Sequence, residues 1–324
     1  MAQVSGATID AWAACRDALA NRGGASTPAE TSQVPEKGAT MASRLGRHKG
    51  AALLLFIVLL VAIGIFGAPA RYSAAVSAAL TVGQLLLMGG AALTLVLPAW
   101  RSGSEYRRSV AIAGILLIVP WALLTLMPGY GPPFAANLAM NHVRFIILFV
   151  STAFLGAGLL VLNAPLTRGE TGDRLLAPLG QASGLLAVGC QLIWAAILIG
   201  WTMSEAHKPA NYLPLYGTPL GNASDVLLFF AGLMTYVATA LYALSFMRRG
   251  WLSRIAACAM AIIAAIAVVG LVARGLQYPD LSEQWFTMPG MIVGIPAIPW
   301  VMPYVLGVVA LVHAAKEEGS DVRF

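Results

Sequence analysis

The chain has 324 residues, of which 59% are hydrophobic and only 10% charged, and its mean hydropathy is +0.78. Soluble domains carry about 25% charged residues, so this composition excludes an ordinary soluble fold and points to an integral membrane protein. A formal charge of +6 would suit a nucleic-acid partner, but the basic residues fall in short clusters between apolar runs rather than along one face, which excludes that partner and reads as a topology signal.

Residues 1–49 are rich in Ala, Gly, Ser, Thr and charge. Their apolar residues never form a run able to bury a core, which predicts a disordered leader. The stretch Ala11 to Leu19 is interrupted by Arg16 and Asp17 and does not make the apolar centre of a secretory signal. Met41, just ahead of the first apolar run, suits the start of a membrane protein. The three cysteines, Cys15, Cys190 and Cys258, fall in the leader and inside two apolar segments with no CxxC spacing, so neither a disulfide framework nor a zinc site is indicated.

A membrane span needs roughly 20 predominantly apolar residues. Eight stretches qualify: Ala51 to Pro69, Ala74 to Leu97, Ser109 to Met127, Phe145 to Ala164, Leu179 to Met203, Ala223 to Phe246, Ile255 to Ala273, and Met291 to Ala314. The expected fold is therefore all-α, a polytopic membrane protein with about eight transmembrane helices over 50–315 and a short tail at 316–324. The intervening loops alternate in basic content. One set holds Arg44, Arg47 and Lys49, then Arg101, Arg107 and Arg108, then Arg168 and Arg174, then Arg248, Arg249 and Arg254, then Lys316 and Arg323. The other set holds one cation each: Arg71, Arg144, Lys208 and Arg274. Basic loops stay on the cytoplasmic side, so both termini are expected to be cytoplasmic and the sparse loops to face out.

Ion-coupled carriers place ionisable groups inside the bilayer. The span centres here hold none, which disfavours a proton-driven carrier; their polar residues, including Gln84, Asn163, Gln191, Thr235 and Tyr236, suit hydrogen bonds between helices. Gly89 and Gly90, Gly156 and Gly158, and Gly184 and Gly189 suit close helix packing. Pro296, Pro299 and Pro303 predict a kink in the last span, with a cavity beside it as one outcome.

The outer loops carry the chemistry. Pro128 to Arg144, PGYGPPFAANLAMNHVR, delivers His142 to the start of a span, and SEAHKPANYLPLYGTPLGN carries His207. Asn137 to Val143, NLAMNHV, is close to a W-L-x-x-H-V pattern with Asn137 in the place of Trp. Arg249, Gly250, Trp251, Arg254, Ala256 and Ala257 follow R-G-W-x-x-R-x-A-A, and Gly275-Leu276-Gln277-Tyr278 stands where a G-L-H-S-Y pattern would fall. In order and spacing, from about Arg71 to Tyr278, the chain resembles the heme-handling, WWD-type cytochrome c assembly family of membrane proteins.

That resemblance implies an eight-span scaffold in a bacterial inner (cytoplasmic) membrane, heme as cofactor, and His142 as an axial heme ligand. It also marks departures. The loop that should carry the WWD signature, Ser204 to Asn222, contains no tryptophan, and Gln277 occupies the second axial position. His207 is a substitute for that second ligand without a family position behind it. Arg144 and Lys208 are outer cations able to meet a heme propionate. Two alternatives stand beside a divergent heme-handling protein: a heme-free structural or accessory subunit of a respiratory or assembly complex, and a facilitator for a small uncharged solute. The expected partners are the lipid bilayer, heme and other membrane subunits. No catalytic triad, phosphate loop or paired-carboxylate site is nominated, so the sequence assigns no enzymatic activity.

Overall fold

The computed structural model of the protein describes residues 48–61, 74–127, 138–169, 172–207, 218–275 and 298–316. Among these, all regular structure is helical: α1 (His48–Val61), α2 (Ala74–Arg101), α3 (Glu105–Leu124), α4 (Leu138–Thr167), α5 (Leu176–His207), α6 (Pro219–Arg248), α7 (Arg254–Gly275) and α8 (Val301–Ala315). The six helices from α2 to α7 are long and apolar enough to cross a bilayer. α1 and α8 are apolar but shorter. The 15 residues of α8 rise only about 22 Å at 1.5 Å each, less than the roughly 30 Å of a hydrocarbon core. The leader up to residue 47, most of the content-rich outer loops and Gln277 lie outside the described residues.

Consecutive helices from α2 to α7 pack side by side, and α8 lies against α2, α3 and α6. This central placement explains why α8 is buried on so many sides: Tyr304, Leu306, Ala310 and Leu311 have no exposed surface. Polar groups also tie this segment to α1 and α5. The Tyr304 hydroxyl donates to the Leu55 carbonyl of α1 at 3.0 Å, and Trp300 Nε1 donates to Gln191 Oε1 of α5 at 3.3 Å. Each bond satisfies a group that would be costly to leave dry.

Two glycines let the α3 and α8 backbones approach each other closely. A Cβ on Gly114 of α3 would sit 2.8 Å from the Leu311 side chain and 2.9 Å from the Gly307 carbonyl oxygen; one on Gly307 would sit 2.9 Å from the Gly114 carbonyl oxygen. Gly156, Gly158 and Gly184 act alike against Val188, Leu117 and Leu159, as expected of the α4 and α5 glycines. Gly89, Gly90 and Gly189 differ, since a Cβ on any of them would meet open space. The kink expected in the last span falls partly on residues 291–297, which lie outside the described residues. Pro299 precedes α8 and Pro303 lies in its first turn, where an absent amide costs no intrahelical bond; Pro296 lies outside the described residues.

The basic clusters gather at one end of the bundle. Arg107 Nε, at the start of α3, donates to the Ala314 carbonyl at the end of α8 (2.9 Å). Trp251, in the α6–α7 turn, stacks on His313 with ring centroids 4.4 Å apart. Arg249 Nη2 donates to the Pro165 carbonyl near the end of α4 (3.4 Å). The same end carries an ion pair, Arg248 with Asp173 at 3.5 Å.

Candidate functional site

At the opposite end, α4 begins and α5 finishes, and their antiparallel packing places His142 beside Thr202. His142 Nδ1 is 2.6 Å from Thr202 Oγ1. The threonine hydroxyl has a single proton, which is donated to the Ile199 carbonyl at 2.7 Å. Both bonds are satisfied together only when His142 Nδ1 carries its proton and donates to the threonine oxygen. The neutral imidazole then keeps its lone pair on Nε2, the atom a metal would take. Thr202 is buried and His142 half-buried, so the oxygen that fixes the tautomer is itself held dry. Beneath this pair, Phe145 and Trp194 meet edge to face with centroids 6.1 Å apart and pack α4 on α5.

His207 is the last residue of α5 and is exposed; its Nδ1 lies 2.9 Å from the Met203 carbonyl. A carbonyl only accepts, so Nδ1 is protonated here too and Nε2 is the remaining acceptor. No hydrogen bond joins His142 to His207. Thr202 and His207 are five residues apart on α5, about 7.5 Å along its axis, which sets His207 farther out than the His142 level. Arg144 follows His142 by two residues on α4. It is 5% exposed, between buried Asn141 and Phe145, on the core side of α4. Lys208 and Gln277 lie outside the described residues. Among the described residues no group of three or more His, Cys, Asp or Glu could hold a metal ion.

This donor set fits one axial position of a heme iron. His142 offers a neutral imidazole nitrogen with its second ring nitrogen anchored by a buried oxygen, the arrangement that orients ligating histidines. Thr202 was not legible as its partner, because a threonine near a span end is unremarkable in composition. A signal did exist: His142 and Thr202 are almost equally far from the turn joining α4 to α5, and two antiparallel helices of equal rise place such residues level.

The R-G-W stretch has a local structural cause. α6 ends in a Schellman motif: Trp251 N donates to the Phe246 carbonyl (2.8 Å), and Gly250 N to the Met247 carbonyl (3.1 Å). Gly250 takes φ of 71°, which favours glycine. The Phe246 and Trp251 rings, 4.8 Å apart, supply the apolar contact that accompanies such a cap. Asp173 closes the neighbouring turn. Its Oδ1 accepts the Leu176 and Leu175 amides at 2.9 and 3.1 Å, capping α5. Burial pushes this carboxyl up, but the two amides, the Ser245 hydroxyl and the Arg248 charge together hold it below the usual carboxylate range. Neither Asp173 Oδ2 nor Ser245 Oγ has a hydrogen bond of full geometry, so the hydroxyl acts there as a nearby dipole.

A bundle of long apolar helices with its basic residues collected at one end defines the class: a multi-pass helical membrane protein in contact with the lipid bilayer. No protein-family model matches the chain, and no curated protein or solved structure matches it either.

Proposed function

We propose that the chain is a divergent heme-handling protein, similar to cytochrome c assembly proteins, in a bacterial inner membrane, with its basic end cytoplasmic and His142 as an axial ligand on the outer face. The observation that carries this reading is the chain of bonds from His142 Nδ1 to Thr202 Oγ1 to the Ile199 carbonyl. It holds the ring in one tautomer with Nε2 open, which an interfacial histidine that merely caps a span does not need. Bound heme would supply an iron whose electron affinity follows from its ligands and the polarity around it. The protein's own part is to orient the ring and keep Nδ1 protonated. His207, exposed and farther out, is a second candidate from the loop side, and Arg144, two residues on from His142, is the cation nearest to meet a propionate.

The test is a visible spectrum of the detergent-purified protein with and without added heme. A Soret band that is lost in His142→Ala supports the ligand. A second reading, a heme-free accessory subunit built on the same scaffold, is favoured by the Schellman cap, which accounts for the R-G-W stretch without a cofactor. It predicts no Soret band in any variant and co-purification with a larger membrane complex.

A further inference from the structure

We propose that Arg107, where α3 begins and α8 ends, holds a phosphate-bearing anion at the basic end of the bundle, separate from the His142 site. Arg107 is a guanidinium with only 8% of its surface exposed. Its Nε donates to the Ala314 carbonyl, while Nη2 is fully buried and has no hydrogen-bond partner. No carboxylate among the described residues pairs with it; the ion pair at this end joins Asp173 to Arg248 instead. A buried charge left unneutralised is costly, so a stable protein supplies a counter-charge.

The surroundings select an anion. Arg107 is in the first turn of α3, whose leading amides lack intrahelical acceptors and form the positive end of the helix dipole. The Ser104 hydroxyl takes one of them, the Arg107 amide itself. Tyr106 and His313, the neighbours in sequence of Arg107 and Ala314, meet edge to face at 6.5 Å, and Trp251 stacks on His313. Exposed Lys316 follows directly on α8 and adds positive charge. A planar fork with a free donor edge suits two oxygens of one phosphate. Tyrosine and tryptophan at a basic membrane end also mark the depth of lipid headgroups.

Two sources share this chemistry: an anionic lipid headgroup and free phosphate. The full-length protein, purified in detergent, is exchanged with phosphatidylglycerol or phosphatidylcholine and examined by native mass spectrometry. Its melting is followed separately against inorganic phosphate. Wild type is expected to retain phosphatidylglycerol at least about tenfold better than Arg107→Gln, as the loss of a charged hydrogen bond implies. Arg107→Lys, which keeps the charge without the fork, falls between them. Arg108→Gln, whose Nη2 rests on the Trp100 carbonyl, stays near wild type. A melting shift with inorganic phosphate and no preference for phosphatidylglycerol assigns the free anion. Equal lipid retention and equal phosphate response in wild type and Arg107→Lys overturn the proposal. So does anion binding that appears only after Glu317 and Glu318 are changed to Gln, since the counter-charge would then be the protein's own tail.

Discussion

Removing the Thr202 oxygen tests the His142 tautomer one atom at a time. Thr202→Val keeps the buried volume but leaves Nδ1–H without its acceptor at 2.6 Å, and loss of such an outer partner weakens metal binding about 10- to 100-fold; heme titration of the variant checks it. Asp173 makes a prediction of another kind. Its depressed pKa means that its stabilisation is present above the unfolded value, near 3.9, and disappears as pH falls through the lower folded value. Asp173→Ala, which loses the α5 cap, is expected to cost about 1 kcal/mol at neutral pH. In melting curves against pH that difference should stay level down to about pH 4 and shrink below it. Arg248 is half exposed, so Arg248→Gln should do less than the aspartate change. The histidine was legible in the sequence because a polar ring at the mouth of an apolar run stands out. Its tautomer was not, because Thr202 is 60 residues away. NLAMNHV also carries one residue more between Leu138 and His142 than the family pattern, so the resemblance rests on order more than on register there.

At the scale of elements, hydropathy located the helices and missed what holds them together. The spans from Ala74 to Ala273 fall on α2 to α7, since a run of apolar residues in lipid has few structures open to it besides a helix. The glycines divided differently. Gly156, Gly158 and Gly184 sit at interfaces, but Gly89 and Gly90 face open space, and Gly114 with Gly307 brings together backbones of helices remote in sequence. Gly114→Val should destabilise by about 1–3 kcal/mol through overpacking against Leu311 and the Gly307 backbone, whereas Gly90→Val should change melting by less than about 0.5 kcal/mol. Of the prolines near 300, the spacing alone does not reveal which ones fall inside a helix. Once Val301 is its first residue, Pro303 falls in a turn that tolerates it.

For the whole molecule, the alternation of basic loops was legible and has a physical counterpart in the gathering of Arg107, Arg248, Arg249 and Arg254 at one end. If that end is cytoplasmic, Ser204→Cys near the far end of α5 should react with a membrane-impermeant thiol reagent in intact cells. Ser102→Cys in the α2–α3 turn should react only after the membrane is opened, and the reverse pattern would invert the topology. What the sequence could not supply is the reason α8 is central, because its ties to α1, α3 and α5 through Tyr304, Gly307 and Trp300 are long-range. The heme reading joins this scaffold to one oriented imidazole at its outer end. Its most direct test is a heme titration of the purified wild type beside His142→Ala and His207→Ala, followed at the Soret band. Saturable binding that His142→Ala abolishes, while His207→Ala keeps at least the His142-dependent part, is the expected result; a wild type that binds no heme, or binds it as well without His142, would contradict it.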